Sequence, residues 1–174
     1  MKISSTSLAG VKIIQPNMYK DQRGFFLESY KESEFLKNNI NYNFVQDNRS
    51  RSTKKVLRGL HFQIKRPQGK LVSCTYGEIF DVVADINPRS HTYGQYLAVI
   101  LSGENNKQLF IPPGYAHGFC VLSNKADIFY KCTEYYDPND EGGVRWDDPL
   151  FNIEWPYDDP ILSKKDKGYI FLRK

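Results

Sequence analysis

A chain of 174 residues, 40% hydrophobic, 25% charged and 14% aromatic, can bury one good core but is too short for two ordinary domains, so a single domain over 1–174 is expected. Its 24 basic and 20 acidic residues leave a net charge of +4 with no basic tail, which argues against a nucleic-acid partner and leaves room only for attraction of a small anion. No apolar stretch approaches the roughly 18 residues of a membrane span, so no membrane partner is expected.

No apolar signal core stands in the first twenty residues. Cys74, Cys120 and Cys132 are odd in number and lack CxxC spacing, which excludes a disulfide framework and a zinc knuckle. Reduced thiols in a cytoplasmic protein are the expectation. In chain order, only residues 30–38 read as helix, where KESEFLKN joins good helix formers to acidic residues near the start. The run 44–63, FVQDNRSRSTKKVLRGLHFQ, sets His61 among apolar residues that read as strand. Segments 71–76 and 79–86 flank Gly77-Glu78, which predicts a tight hairpin. Segment 96–102 is a further apolar run, and 108–111 stops at Pro112-Pro113-Gly114, which no strand interior tolerates. Segments 117–122 and 127–136 complete the strands. In the last, Ile128, Tyr130, Cys132 and Glu134 share one face by the period of two. Many short strands without alternating helices predict an all-β antiparallel sandwich or barrel with few short helices.

Two of the three histidines, His61 and His117, sit in strand-like apolar runs with arginine and amides nearby, which points to a site inside the β-structure. An imidazole in such surroundings suits a general base; it equally suits a core histidine bound to a backbone carbonyl. His117 ends a P-x-G-x-x-H pattern that resembles the second metal-binding motif of cupins. The first cupin motif needs two histidines one residue apart, and here that position reads His61-Phe62-Gln63. A divalent site needs at least three N or O ligands, and His91, in a Ser-His-Thr turn, is a poor third. A metal-free, cupin-like barrel is therefore expected. The Tyr130 phenol, with an ordinary pKa near 10, can protonate a carbanion, or simply pack as one of twelve tyrosines. Lys70 begins a strand and could place an ammonium over an enolate oxygen, or sit solvated. Asp166 belongs to an S-x-x-D pattern that is in itself a capping box.

DQRGFFLE from Asp21, FVQDN, VLRGLHFQ, QGKLV, GEIFDV, IPPGYAHGF, FYKCTEYY, RWDDP, IEWP and ILSKKD follow in that order. Together they resemble the successive signatures of the dTDP-4-dehydrorhamnose 3,5-epimerase family, over nearly all of residues 8–166. The resemblance implies a cupin-type jelly roll. It also implies inversion of C3 and C5 of a nucleotide-linked 4-keto-6-deoxyhexose, without metal or organic cofactor, in dTDP-L-rhamnose biosynthesis for surface carbohydrate such as lipopolysaccharide O-antigen. By that resemblance His61 is the base, Asp166 its supporting carboxylate, Tyr130 the acid and Lys70 the partner of the enolate. Substrate contacts carry over to Arg23, Phe26, Glu28, Gln46, Asp47, Asn48, Arg58, His117, Glu141 and Lys165, with Arg23, Arg58 and Lys165 suited to the diphosphate. The family exchanges an N-terminal strand within a homodimer, so Arg23, Phe26 and Glu28 are expected to serve the neighbouring site. The tail KGYIFLRK from Lys167 is not a family signature. An enzyme inverting only one carbon, a metal-dependent cupin using His61 and His117, and a non-catalytic sugar-binding module stand as alternatives.

Overall fold

The computed structural model describes residues 1–172. In chain order its elements are β1 (Lys2–Ser5), β2 (Lys12–Gln15), β3 (Met18–Asp21), β4 (Gly24–Leu27), α1 (Glu32–Lys37), β5 (Gln46–Thr53), β6 (Leu57–Gln63), β7 (Lys70–Tyr76), β8 (Glu78–Asp85), β9 (Tyr96–Ser102), β10 (Gln108–Ile111), β11 (Tyr115–Val121), β12 (Lys125–Cys132), β13 (Glu141–Gly143) and α2 (Lys164–Gly168). Two antiparallel sheets face one another. The first runs β1-β2-β10-β7-β12-β5 and the second β13-β6-β11-β8-β9, while β3 and β4 pair only with each other. This is the all-β jelly roll with few short helices that the sequence predicts.

Side-chain alternation explains the layers. Val72 and Cys74 of β7, Leu109 of β10 and Ile128 of β12 meet Ile79, Val83, Phe119 and Val121 of the second sheet in the central core. The outer face of the first sheet is covered in part by α1 and the segment after it, where Phe35 and Ile40 pack on Ile14, Leu71 and Phe110. The outer face of the second sheet, with Leu60, Val82, Ala84 and Ala116, lies under Val144 and Phe151. Both sheets are thereby braced from outside, and the space between them is apolar at one end.

Two expectations require correction. Segments 71–76 and 79–86 do not form a hairpin: β7 pairs with β10 and β12, and β8 pairs with β11 and β9. Gly77 instead carries the chain from one sheet to the other with φ +74, and a Cβ there would strike the Lys125 carbonyl oxygen. A one-residue link is too short to fold one strand onto the other. The strand expected over 127–136 stops at Cys132, because Thr133 turns to Gly69, giving its N–H to the Gly69 carbonyl and taking the Gly69 N–H on its hydroxyl at 2.7 Å. Glu134 consequently leaves the face that Ile128, Tyr130 and Cys132 share.

Candidate active site

Successive side chains on a regular strand alternate between faces, so Arg58 and His61, three apart, belong on opposite sides of β6. Both nevertheless line one cleft of about 380 Å³ between the sheets. The cause is a bulge: His61 stands opposite His117 of β11, but Arg58 stands opposite Phe119, three steps along one strand against two along the other. Glycines make the bulge possible. Gly59 has φ +122, and a Cβ there would lie 2.6 Å from Gly118 Cα, while one on Gly118 would lie 2.7 Å from the Arg58 carbonyl. The RGLH sequence is thus a geometric requirement for presenting arginine and histidine together.

His61 is held from behind. Its Nε2 lies 2.5 Å from Asp166 Oδ1, and the Asp166 side chain is only 4% exposed. Ser163 caps α2 by accepting the Asp166 N–H at 3.0 Å, and its own hydroxyl donates to Asp166 Oδ2 at 2.7 Å. Burial pushes the Asp166 carboxyl up, but hydrogen bonds from His61 and Ser163, the His61 charge and the Gly59 backbone outweigh it, so the net shift is downward and the group is ionised. An ionised carboxylate only accepts, so in the neutral ring Nε2 carries the proton and the other nitrogen holds the lone pair. Ser163 caps the helix as the S-x-x-D pattern predicts, but Asp166 returns to the Ser163 hydroxyl rather than to its backbone N–H, and the same carboxylate orients the imidazole.

The facing wall comes from the first sheet. Tyr130 of β12 stands opposite Asn48 of β5 and Val72 of β7, and one pleat further Cys132 stands opposite Gln46 and Lys70. Gln46, Asn48, Lys70 and Tyr130 therefore share one inner face and line the cleft with Arg58, His61 and Glu141. Burial raises the Tyr130 pKa above its ordinary value, with Cys132 and Glu141 adding to the rise and Arg58 opposing it. The phenol is a proton donor at neutral pH. Burial also lowers Lys70, against the pull of Cys132, Glu141 and Asp81. Glu141 accepts from the Tyr136 hydroxyl and pairs with Lys165. Burial raises Glu141, yet those two contacts and the charges of His61 and Lys165 leave it lowered overall. The same contact, with some burial, pushes Tyr136 up to about 12.

Other predicted residues lie elsewhere. His117 is buried, with Nε2 at 2.9 and 3.1 Å from the two oxygens of the wholly buried Asp81, and it does not line the cleft. His61 and His117 are each committed to a carboxylate, and among the described residues no group of three His, Cys, Asp or Glu converges on a point; the donor set of a metal cupin is not formed. Asp47, between Gln46 and Asn48, points to the opposite face of β5 and meets Lys131 Nζ at 2.9 Å. Arg23, paired with Asp21, Phe26 and Glu28 stand on or beside the exposed β3–β4 hairpin, away from this cleft. Sequence reasoning did not single out Tyr136, Gln63 and Gln68 of the lining, nor Asp81; nothing local marks Asp81, whose partner is 36 residues away.

The family model described as dTDP-4-dehydrorhamnose 3,5-epimerase matches residues 5–174. The chain is 50% identical to the dTDP-4-dehydrorhamnose 3,5-epimerase of Methanothermobacter thermautotrophicus, over 97% of this chain and 93% of that protein. It is 35% identical to a dTDP-4-dehydrorhamnose 3-epimerase of Streptomyces niveus, over 99% of this chain and 84% of that one. Among solved structures, it superposes with a TM-score of 0.95 and 49% identity on an epimerase of Legionella pneumophila in complex with dTDP-4-keto-L-rhamnose, covering 98% of this chain and 92% of that one.

Proposed function

The chain belongs to the dTDP-4-dehydrorhamnose 3,5-epimerase family, and from that premise we propose that its one domain converts dTDP-4-dehydro-6-deoxy-D-glucose to dTDP-4-dehydro-L-rhamnose by inverting C3 and C5. One observation carries the chemistry: a histidine backed by a buried carboxylate and a protonated phenol stand on different sheets, facing the same cleft. The substrate's C4 ketone acidifies the hydrogens on C3 and C5, because loss of either leaves an enolate. His61 removes that proton with the ring nitrogen turned from Asp166, whose charge then steadies the imidazolium. The enolate oxygen is held by Lys70, a preorganised cation worth several kcal/mol in such a role. Tyr130 returns a proton from the opposite side, and the centre is inverted. Both transfers use the protein's own side chains, so no metal or organic cofactor is required.

Gln46, Asn48, Arg58, Glu141 and Lys165 are the proposed substrate contacts of this chain, and His117, which does not line the cleft, is proposed to support them from behind through its neighbours. Arg58 and Lys165 suit the diphosphate, since charge-assisted hydrogen bonds to phosphate are strong. Arg23, Phe26 and Glu28 complete the site of a second copy. The β3–β4 hairpin supports this reading: it stands apart from both sheets with Tyr19, Phe25 and Phe26 each about 60% exposed, a surface that a homodimer with exchanged N-terminal strands would bury. Cytoplasmic residence is supported by three free, buried cysteines, and use of the product in lipopolysaccharide O-antigen fits the reaction.

The test is isotope exchange. In deuterated water the enzyme should place deuterium at both C3 and C5 of the ketosugar. Deuterium at one carbon only would favour the second reading, a single-centre epimerase like the 35% identical relative. Tight binding with no exchange would leave a sugar-binding module.

A further inference from the structure

Beyond Asp166, the tail after α2 places a second group against the base. Gly143 of β13 is the register partner of His61, so the position beside the imidazole on the neighbouring strand has no side chain. That space is filled by Tyr169: a Cβ on Gly143 would fall within 2.5 Å of three atoms of the Tyr169 ring. The ring lies 5.8 Å from the His61 imidazole, centroid to centroid, in an edge-on arrangement at 64°. Its hydroxyl reaches Glu141 Oε1 only at 3.5 Å, the outer limit of a hydrogen bond. The tail is pinned beyond it, with the Ile170 carbonyl accepting the Arg145 N–H at 3.3 Å, the Leu172 N–H given to Asp148 Oδ2 at 2.7 Å, and Arg145 stacked 4.7 Å from the Phe171 ring.

We propose that Tyr169 is a positioning residue for His61: its ring, seated on the bare Gly143 backbone, walls one side of the imidazole and keeps it aligned with Asp166 through proton transfer. This inference rests on the assignment of His61 as the base. Two features support a role for the ring rather than the hydroxyl. The ring fills the place of a missing side chain. An edge-on aromatic contact also limits rotation about the His61 side chain. Burial, with Glu141 adding to it, pushes the Tyr169 phenol up to about 12, so it does not compete as a base. One segment of ten residues thus supplies both the carboxylate behind the imidazole and the wall beside it.

The steric couple gives a specific test. Gly143 does not occupy the left-handed region, and the three atoms nearest to a Cβ there all belong to the Tyr169 ring, so that ring is the first obstacle to Gly143→Ala. In the full-length enzyme, Tyr169→Leu should lower kcat about 10- to 100-fold with KM within about threefold. Tyr169→Phe should recover most of that loss. Gly143→Ala should reproduce it, and Gly143→Ala combined with Tyr169→Leu should be no worse than Tyr169→Leu alone. Histidine-ring NMR on the same proteins reads the positioning without turnover: the His61 ring protons should lose the same ring-current shift in Tyr169→Leu and in Gly143→Ala, and keep it in Tyr169→Phe. An unchanged kcat and spectrum in Tyr169→Leu, a Phe variant as poor as Leu, or multiplying losses in the double variant would each overturn the inference. Absence of isotope exchange in the parent enzyme would instead overturn the proposed reaction, while the ring spectrum would still decide the positioning claim.

Discussion

Replacing Asp166 by Asn isolates the charge behind the base with little change of shape. In the parent, Ser163 donates to Oδ2 and the ionised Oδ1 takes the His61 Nε2 proton. In Asp166→Asn the Ser163 hydroxyl still wants an acceptor, so the amide oxygen turns to it and the amide NH2 faces His61. That reverses the tautomer: the ring nitrogen towards the sugar now carries a proton and cannot accept one. The imidazolium also loses its counter-charge. For charge centres about 4 Å apart at an effective dielectric of about 20, that attraction is about 4 kcal/mol, and water at the partly exposed ring reduces it to about 3. At about 1.4 kcal/mol per decade this predicts a kcat some 10²–10³ lower. Asp166 is shielded from the cleft, so KM should stay within about threefold. The helix keeps a polar residue at the capped turn and loses only a charge near its N-terminus, worth ~0.3–1 kcal/mol, so the unfolding midpoint should fall by no more than about 4 °C. NMR conversion assays with the purified ketosugar and a thermal melt decide the matter. A kcat within threefold of the parent, with the fold intact, would refute the role given to the pair.

Three further outcomes are expected. Tyr130→Phe should slow net inversion about 10²–10³-fold while His61-side deuterium exchange continues, so equal loss of both, read by NMR, would remove the phenol from its place as acid. Gly59→Ala should break the bulge, because Cβ would lie 2.6 Å from Gly118 Cα at a left-handed φ of +122; a cost of at least ~2 kcal/mol in denaturant unfolding is expected, with activity lost beyond what the stability loss explains. Asp127 accepts hydrogen bonds from Arg51 at 2.5 and 2.7 Å and from Arg49 at 2.7 Å, and these contacts, Arg51 foremost, hold its carboxyl well below the usual range against the opposing effect of burial. A depressed folded-state pKa stabilises above the ordinary carboxylate value near 4 and is lost as pH falls through the folded value. The gap in melting temperature between parent and Asp127→Asn should therefore be full at neutral pH and close below about pH 4.

Much of the site was legible because its residues sit where local rules speak. The period of two put Tyr130 and Cys132 on one face, and the capping pattern located Asp166 at a helix start, whereas the bulge at Gly59 emerges only in the structure. The same period, applied to Gln46-Asp47-Asn48, separates Asp47 from its neighbours, and the structure bears that alternation out. What local rules miss is pairing at a distance. Residues 71–76 and 79–86 look like a hairpin because turn residues divide two apolar runs, but apolar runs on opposed sheets have the same appearance. Choosing between them takes the close packing of Gly77, where a Cβ would strike Lys125 and Ser123, residues about 50 away in sequence. Asp81 beneath His117 and Tyr169 beside His61 were invisible for the same reason. Each is an unremarkable residue until the sheet order places it.

The placement of the site follows from how the inner faces change along their length. On β12, Ala126 and Ile128 lie in the central core, and two residues on Tyr130 enters the cleft; on β7, Cys74 and Val72 are core and Lys70 is cleft. One regular pleat therefore carries both the apolar packing that fixes the strands and the polar groups that line the cleft, with no loop between them. The opposite wall cannot work the same way, since a regular β6 would send either Arg58 or His61 outward. The bulge between Gly59 and Gly118 removes that conflict at the one place where two neighbouring functions must face inward. Inversion of a stereocentre needs acid and base on opposite sides of the same carbon, and a two-sheet sandwich with one bulged strand meets that requirement on rigid elements, where a loop-built site would have to order itself around the sugar.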